Sequence, residues 1–505
     1  MFITTITILV LLMVQTLTSF IHLPALEGVT VENEMPELTY ANMMDGSFQD
    51  GFEKYGRDHF GFREWLIPLY NQFEWDFFKK VEQKGIFFGQ DNWLYFYEMV
   101  QDQYESLTFK YAKSGEEMAG IFEKDAMKVY YLQEILKEYG TTLFVCIAPS
   151  KNELYPEFLP PNNNRFVQQG GIHADDYYVE KFRELGVNCL DLNTVFKSWK
   201  GKVDFPLYYK GSSHYSVIAA THAADTLLRY MEHTSGLNLQ NFTVRQAEIK
   251  KPINIDRDLE NLFNLIRPFE KTNYYYAGID PIPDSTAVKT RWLTIGDSYY
   301  WYISEEMRAA NIFESTPFWY YGHEVYFDGE SDFLAQNHNL TDELIEADFV
   351  MLLWCPINLY DLEHNFVNTA LLSLCCLDNY SSSLITNIKE NPDWYNSVVE
   401  KAKKNGKDIE EQLKLDVDWV IQEKIETDFN LSEKQIPSAR NGKIANMGKW
   451  FNGKSPEEIR KIKHAYRELK KNDASTSNEI LMAEATRLLF PTEGKMESTK
   501  NELVK

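Results

Sequence analysis

Apolar residues follow two different spacings along the chain, and the alternation between them predicts the fold. From about residue 114 to residue 354, segments with apolar residues at helical spacing alternate with short segments that are continuously apolar. These short segments are TTLFVCIA, VNCLDL, RWLTIGDS and DFVMLLW. Continuous apolar runs of this length are typical of strands buried on both faces. The pattern predicts an α/β domain with an open, mostly parallel sheet that carries helices on both faces.

Ordinary start and stop signals mark the predicted helices. Ser114, followed by two glutamates, predicts the start of a long amphipathic helix that ends near Gly140. Two more helices are predicted, over 175–185 and from about 216 to 232. An earlier segment has helical spacing interrupted near Gly61, which predicts a pair of helices.

Changes in composition divide the chain into five parts. We expect a signal anchor or transmembrane helix at 1–26, a linker at 27–46, the α/β domain at 47–383, a helical appendage at 384–473 and a disordered tail at 474–505. The first part is apolar and uncharged, close to the ~20 residues that a spanning helix needs. A cleaved signal peptide or a buried core helix are the alternatives for this segment.

Charge and cysteine content exclude several classes of function. The net charge of −24 disfavours nucleic acids and anionic lipid surfaces as partners. The five cysteines are odd in number, lack a CxxC spacing and mostly lie in apolar stretches. They are Cys146, Cys189, Cys355, Cys375 and Cys376. We therefore expect small buried side chains, with neither a metal site nor a cofactor.

A serine follows one of the predicted strands at the edge where α/β sheets carry their chemistry. In LTIGDSYYWY the strand ends at Gly296 and delivers Asp297 and Ser298 into a turn before a helix. Backbone N–H groups at the start of that helix could stabilise an oxyanion. Tyr300 occupies the last glycine position of the GxSxG elbow, so this is a different turn, and an ordinary turn serine is the alternative.

A histidine in a second polar loop is the candidate partner of this serine. His214 stands just before the helix predicted from about residue 216. An imidazole in a polar loop can take the proton of a serine near neutral pH. A loop histidine without a role is the alternative, and the conjunction with Ser298 favours a reactive pair.

With these motifs the chain resembles the SGNH-hydrolase-like proteins typified by the alginate O-acetyltransferases AlgJ and AlgX. The resemblance extends over about residues 45 to 370 and is carried by DGSFQDGFEKYGRDHFGFREWL, GQDNWLYF, IAPSKNELYPEFLP and LTIGDSYYWY. It implies a membrane-anchored or exported protein whose active part faces away from the cytoplasm. It also implies acetyl transfer to an exported polysaccharide, with a membrane protein as a candidate acyl donor.

The resemblance also assigns roles at the reactive pair. It makes Ser298 the nucleophile and His214 the base, and it expects an aspartate two residues before the histidine, where this chain has Ser212. A serine brings no charge, and in a serine protease the loss of the acid lowers turnover roughly 10⁴-fold. A slow Ser–His dyad, an acid recruited from Asp191 or Asp204, and a site kept only for binding are the three alternatives.

Further polar and aromatic residues follow the same strands. Asp297 could assist at the oxyanion or the substrate. The other candidates for substrate contact are Ser150, Lys151, Tyr155, Tyr299, Trp301, Tyr321 and His323. A turn closed by prolines explains the first three nearly as well, and core packing explains most of the aromatic residues.

Three functions are consistent with these residues. The first is extracytoplasmic O-acetyl transfer to a cell-surface or exported polysaccharide. The second is a carbohydrate esterase, in which water replaces the sugar hydroxyl. The third is an inactive glycan-binding scaffold in polysaccharide export, which the serine at position 212 favours.

Overall fold

The computed structural model describes most of the chain. The described residues are 2–22, 24–28, 33–81, 83–105, 110–160, 172–327, 330–335, 338–362, 364, 366–374, 378–428, 448–473 and 475–491. Cys375 and Cys376 lie outside these ranges. Cys146 and Cys355 are buried and Cys189 is partly buried.

The described residues contain helices along the whole chain, and those predicted from Ser114 to near Gly140, over 175–185 and from about 216 to 232 are among them. The helices are α1 (Phe2–Thr18), α2 (Tyr40–Asp45), α3 (Ser47–Asp58), α4 (Arg63–Phe78), α5 (Tyr97–Glu105), α6 (Gly115–Glu138), α7 (Lys151–Leu154), α8 (Ala174–Leu185), α9 (Leu192–Trp199), α10 (Val217–Ser235), α11 (Asp258–Asn261), α12 (Tyr300–Ala309), α13 (Leu340–Glu346), α14 (Phe366–Leu374), α15 (Asp378–Glu390), α16 (Pro392–Asn405), α17 (Ile409–Asp428), α18 (Pro456–Asn472) and α19 (Asn478–Leu489). At the start of α6, Ser114 and Glu117 form a capping box.

A seven-stranded sheet forms the centre of the domain. The strands are β1 (Ile86–Phe88), β2 (Leu94–Phe96), β3 (Thr142–Ile147), β4 (Cys189–Asp191), β5 (Phe242–Val244), β6 (Glu248–Lys250), β7 (Tyr274–Tyr276), β8 (Ile279–Pro281), β9 (Trp292–Gly296), β10 (Phe318–Tyr320), β11 (Glu324–Phe327), β12 (Glu330–Leu334) and β13 (Phe349–Trp354). The sheet order is β12-β11-β10-β9-β13-β3-β4. The pairs from β10 to β4 are parallel, and β11 and β12 add antiparallel strands at one edge.

Both faces of the sheet are covered, which is why its central strands are continuously apolar. In β3, Leu143, Val145 and Ile147 point into one core, which they share with α6 and α8. Phe144 and Cys146 point into a second core with α10 and α12. The expected α/β fold, mostly parallel with helices on both faces, is confirmed. The carboxyl ends of five strands therefore meet along one edge.

The apolar segment near the start of the chain forms a 17-residue helix, α1. Most of its side chains are exposed, and its end packs on the turn between α3 and α4, where the Gly61 N–H donates to Thr16 Oγ1 at 2.8 Å. Among the described residues, no helix combines the length and the apolar character needed to cross a bilayer. Within the predicted linker, α2 forms a short helix.

The helices after residue 384 share a core with the sheet. Leu384, Val398, Leu413 and Tyr466 belong to the same buried cluster as Val145 of β3. The helical appendage is therefore packed directly on the α/β domain. The α18 helix lies against the amino end of the sheet, because its Lys463 Nζ donates to Thr141 Oγ1 just before β3.

The expectation of a disordered tail from residue 474 is wrong for 475–491, because this segment contains α19. Leu481, Met482 and Ala485 of α19 are buried in the core cluster that also contains α18. The apolar face of α19 is short and is flanked by polar residues. The sequence pattern therefore did not predict this helix. Residues 474 and 492–505 lie outside the described residues.

Candidate active site

The turn after β9 holds Ser298 at the carboxyl edge of the sheet. The preceding Gly296 lies so close to β13 that an added Cβ would be 2.5 Å from the carbonyl oxygen of Leu353. Ser298 itself is partly exposed. Its backbone N–H is engaged by no other group of the described residues, so it can donate to a developing oxyanion.

Asp297 fixes this turn from the inside. Its Oδ2 accepts hydrogen bonds from Cys355 N at 2.7 Å and Asn358 Nδ2 at 2.9 Å, and its Oδ1 accepts from Tyr299 N at 3.1 Å. The residue is only 1% exposed. The carboxylate therefore anchors the turn to the end of β13, and the expected contact with substrate is wrong for this side chain.

His214 is held in a short loop that leads into α10. Ser216 caps that helix by accepting from Ala219 N at 3.2 Å. Ser212 closes the loop, because its Oγ donates to His214 O at 2.8 Å and accepts from His214 N at 3.0 Å. The Ser212 hydroxyl thus binds the backbone of His214 and leaves the imidazole to other partners.

The structure brings three reactive side chains into one line. His214 Nε2 lies 2.7 Å from Ser298 Oγ. On the other side of the ring, His214 Nδ1 lies 2.8 Å from Asp258 Oδ2. The Asp258 Oδ1 accepts a further bond from Ser213 N at 2.7 Å, and the Ser213 hydroxyl donates to Oδ2. The arrangement has the order of a hydroxyl, imidazole and carboxylate triad.

The carboxylate of this line comes from none of the positions expected from the sequence. Ser212, in the place of the expected aspartate, does not contact the imidazole. Asp191 instead caps α9 through Thr194 N at 3.0 Å, and Asp204 is exposed elsewhere. The suggestion that either of them supplies the acid is wrong, because Asp258 already occupies Nδ1.

No motif in the sequence pointed to Asp258. It begins α11, in the segment NIDRDLENL, and it is one of nine acidic residues between His214 and Asp297. Its place is fixed by tertiary contacts, because Gly211 O accepts from the Leu259 and Glu260 N–H groups at 3.1 and 3.0 Å. These contacts form only in the folded chain, where α11 lies against the loop of His214.

Asp258 is ionised, and its negative charge allows His214 to act as a base. Burial acts to raise the pKa of Asp258, but hydrogen bonds from His214 and Ser213 outweigh it and hold this pKa below its ordinary value. The ionised carboxylate accepts a hydrogen bond from the Nδ1–H of His214. The Nε2 atom then carries no proton, and its lone pair is directed at Ser298. The serine hydroxyl can then donate its proton to the ring.

The aromatic candidates mostly pack around the site. Tyr299 lies with its ring 4.7 Å from the His214 ring, and its hydroxyl donates to Ser213 O at 2.9 Å. The Trp301 ring packs edge-on against Phe318 and Tyr326. Tyr299 is buried and packs on the His214 ring, so the expectation that it lines a sugar site is not met, whereas for the partly exposed Trp301 it stays a prediction.

His323 and Tyr321 lie on the neighbouring side of the same edge. The Tyr321 hydroxyl accepts from Asn358 Nδ2 at 3.1 Å. His323 is exposed and lines a cavity of about 490 Å³ together with Trp319 and His364. Ser298 and His214 do not line this cavity.

The candidates after β3 differ in burial, because Ser150 and Lys151 are buried and Tyr155 is partly exposed. Ser150 N donates to Asn193 Oδ1 at 3.3 Å. Lys151 is fully buried, and Tyr155 packs its ring 4.5 Å from that of Trp93. Ser150 and Lys151 are buried and engaged within the protein, so the expectation that they touch substrate is wrong, whereas for the partly exposed Tyr155 it stays a prediction. Within the described residues, no group of histidine, cysteine and acidic side chains could hold a metal ion.

Comparisons with known proteins agree with this fold. Residues 86–289 match the family model described as "SGNH hydrolase-like domain, acetyltransferase AlgX". This match includes His214 and Asp258 and ends before Ser298. A search of curated proteins finds no match.

Several solved structures are similar at low identity. The O-acetyltransferase domain of Pseudomonas putida AlgJ is 15% identical with a TM-score of 0.37, over 55% of this chain and 92% of that one. Pseudomonas aeruginosa AlgX is 14% identical with a TM-score of 0.37, over 57% and 66%. Bacillus cereus PatB1 with a sulfonyl adduct is 13% identical with a TM-score of 0.32, over 55% and 97%.

Proposed function

We propose that this chain, whose residues 86–289 match the model of the SGNH hydrolase-like domain of the acetyltransferase AlgX, is an O-acetyltransferase that modifies a polysaccharide outside the cytoplasm. Ser298 is the nucleophile, His214 the general base and Asp258 the acid that orients the base. The observation that carries this proposal is the continuous line of hydrogen bonds from Ser298 Oγ through both ring nitrogens of His214 to Asp258.

The first half of the reaction loads the serine. His214 Nε2 takes the proton of Ser298 Oγ as the oxygen attacks the carbonyl carbon of an acetyl donor. The Ser298 N–H stabilises the oxyanion, and Asp258 stabilises the imidazolium. When the oxyanion collapses, the bond to the donor breaks, the leaving group receives the proton from His214, and the acetyl group stays as an ester on Ser298.

The second half transfers the acetyl group to a sugar. A hydroxyl of the polysaccharide replaces the departed leaving group, and His214 removes its proton as the oxygen attacks the acetyl ester. Collapse of this second intermediate returns the proton to Ser298 Oγ and releases the acetylated sugar. The protein needs no cofactor for either half, because all protons move through His214.

The proposed location has separate support. Residues 1–26 contain no charged side chain, and the apolar residues of α1, such as Phe2 and Leu17, are exposed. An exposed apolar helix suits contact with a membrane or with export machinery. We infer a membrane-attached or exported protein that receives acetyl groups from a membrane donor protein. The overall negative charge argues against a nucleic acid partner.

The presence of Asp258 favours an enzyme over an inactive scaffold. The serine at position 212 is the main argument for a site that only binds glycans. The carboxylate of Asp258, from another element, lies at the imidazole instead. A carbohydrate esterase would use the same three side chains with water as acceptor. The two enzymes differ only in the acceptor, so the experiment must measure transfer as well as hydrolysis.

The test uses the full-length protein with 4-nitrophenyl acetate as acetyl donor. We expect release of nitrophenol that is lost in Ser298→Ala, and mass spectrometry should detect acetyl groups on an added polysaccharide. Asp191→Asn, which lies outside the triad, is the control and should keep its activity. Hydrolysis without transfer would favour the esterase, and equal activity of Ser298→Ala would overturn the proposal.

A further inference from the structure

Lys151 is a buried cation that the proposed reaction does not use. Its side chain is 0% exposed. Its Nζ donates to three backbone carbonyls, Leu94 O at 2.8 Å, Lys210 O at 2.9 Å and Ser212 O at 2.5 Å. Two of these carbonyls belong to the loop that leads directly to His214.

The three acceptors match the ammonium form of the lysine. An ammonium carries three N–H donors, and a neutral amine would leave one carbonyl facing a lone pair. The rings of Trp93 and Tyr95 lie 5.1 Å from Nζ and add a favourable cation–π contact. The three carbonyl oxygens and the two rings therefore all favour a positive charge on Lys151 Nζ.

The contacts of Lys151 continue to the reactive side chains. Ser212, whose carbonyl binds Nζ, also binds the backbone N–H and C=O of His214 through its hydroxyl. The adjacent Gly211 O accepts two N–H groups of α11, the helix that begins with Asp258. The base and its acid are therefore both attached to the loop that Lys151 holds.

We propose that Lys151 is a positioning residue, whose ammonium fixes loop 210–214 so that His214 lies between Ser298 and Asp258. This inference rests on the proposed function of that triad. Lys151 touches neither substrate nor reacting atoms, and it acts through the three carbonyls. A displacement of about 1 Å at a catalytic group can lower a rate about 100-fold, so loss of this anchor has a measurable effect.

The test compares Lys151→Met with a matched variant at another buried lysine. Lys463 is also 0% exposed, and its Nζ also binds a backbone carbonyl, Ala347 O, at the opposite end of the sheet. In the full-length protein we expect Lys151→Met to lower kcat for 4-nitrophenyl acetate about 100-fold with little change in KM. Lys463→Met should keep the native kcat while its Tm falls.

A second variant, Lys151→Gln, tests the proposal in case Lys151→Met does not fold. Lys151→Gln retains two N–H donors, so we expect a kcat between those of the native protein and the methionine variant. Native kcat in both variants would overturn the proposal. Equal losses of kcat in the Lys151 and Lys463 variants would also overturn it, because the effect would then follow general stability.

Two readouts remain informative if the native protein does not turn over the ester. The low-field proton resonance of the His214 Nδ1–H reports its bond to Asp258, and covalent labelling of Ser298 by phenylmethylsulfonyl fluoride reports the activated hydroxyl. Lys151→Met should shift the resonance and slow the labelling, whereas Lys463→Met should change neither. Unchanged resonance and labelling in Lys151→Met would contradict the positioning role, independently of whether acetyl transfer occurs.

Discussion

The two ends of the central sheet each contain a fully buried lysine, and the contacts of the two lysines differ in kind. At the carboxyl end, Lys151 binds the carbonyls of the loop that carries His214. At the amino end, Lys463 of α18 binds Thr141 Oγ1 and Ala347 O, which precede β3 and β13. One lysine holds a reactive loop, and the other holds a covering helix on the sheet.

The electrostatic situation of the two lysines is similar. Burial acts to lower the pKa of each from its ordinary value, and a carboxylate acts in the opposite direction, Asp258 for Lys151 and Asp348 for Lys463. At Lys151 the three carbonyl acceptors also favour the ammonium form. Similar burial therefore accompanies two different proposed roles, positioning of His214 at one end of the sheet and stability at the other. The difference lies in the partner segment, which is a loop next to Ser298 in the first case and the starts of core strands in the second.

The largest effect is expected at the carboxyl end, from Asp258→Asn. The amide cannot stabilise an imidazolium by charge and favours the wrong tautomer of His214, so kcat should fall about 10³- to 10⁴-fold. The Tm should also fall, because the lowered pKa of Asp258 means that its ionised form stabilises the fold. Steady-state kinetics with the acetyl ester measure the effect. Asp204→Asn is the control, and an equal loss of kcat there would contradict the assignment of the acid.

The opposite pattern is expected at the amino end, from Arg467→Met. The Arg467 guanidinium binds Glu314 Oε2 at 2.7 Å and Asp348 Oδ2 at 3.3 Å and is 5% exposed. Removing it deprives these two carboxylates of their guanidinium partner and should lower the free energy of unfolding by about 3–5 kcal/mol. Urea unfolding measures this loss, while kcat should stay near native. A lost kcat in the folded variant would show that the two ends are coupled.

The same ion pair predicts a pH dependence. Burial acts to raise the pKa of Glu314, but hydrogen bonds from Arg467 outweigh it and hold this pKa below its ordinary value. The stabilisation is therefore complete above the unfolded pKa of about 4.3 and is lost as the pH falls through the lower folded value. The native protein and Arg467→Met should differ most at neutral pH and converge in acid. A difference that grows in acid would contradict this account.

The smallest effect is expected from Ser213→Ala. The Ser213 hydroxyl donates to Asp258 and contributes one of several bonds to that carboxylate. Loss of one such bond costs about 1 kcal/mol, so kcat should fall at most about tenfold. Steady-state measurement of kcat for Ser213→Ala and Asp258→Asn under the same conditions shows which loss is larger. A larger loss in Ser213→Ala would indicate that the serine also holds the loop of His214.

The sequence pattern was sufficient to predict the fold, and together with the family resemblance it predicted that Ser298 and His214 meet. Ser298 follows a strand whose hydrophobic pattern leads to the carboxyl edge of a parallel sheet, and such edges bring distant loops together. His214 was paired with it from its polar loop before a helix and from the family resemblance. The periodicity of apolar residues and the start and stop signals also predicted the bounds of α6, α8 and α10 to within a few residues. These features depend on local pattern, which a single sequence contains.

The acid and the buried lysine depend on tertiary contacts that no local pattern records. Asp258 lies in a polar segment without regular spacing, and it reaches His214 only because α11 binds Gly211 O. Lys151 was interpreted as a substrate contact because it follows a strand, whereas its three acceptors come from Leu94 and from the loop before His214. The family resemblance directed attention to position 212 and therefore away from Asp258.

The proposed mechanism depends on one covalent step, in which Ser298, activated by His214 and Asp258, takes the acetyl group as an ester. Rapid quenching of the full-length protein after mixing with 4-nitrophenyl acetate, followed by peptide mass spectrometry, detects the product of this step. We predict the added mass of one acetyl group on the peptide that contains Ser298, no such addition in Ser298→Ala, and much slower accumulation in Asp258→Asn. An acetyl group that accumulates equally in all three proteins, or on another residue, would contradict the mechanism.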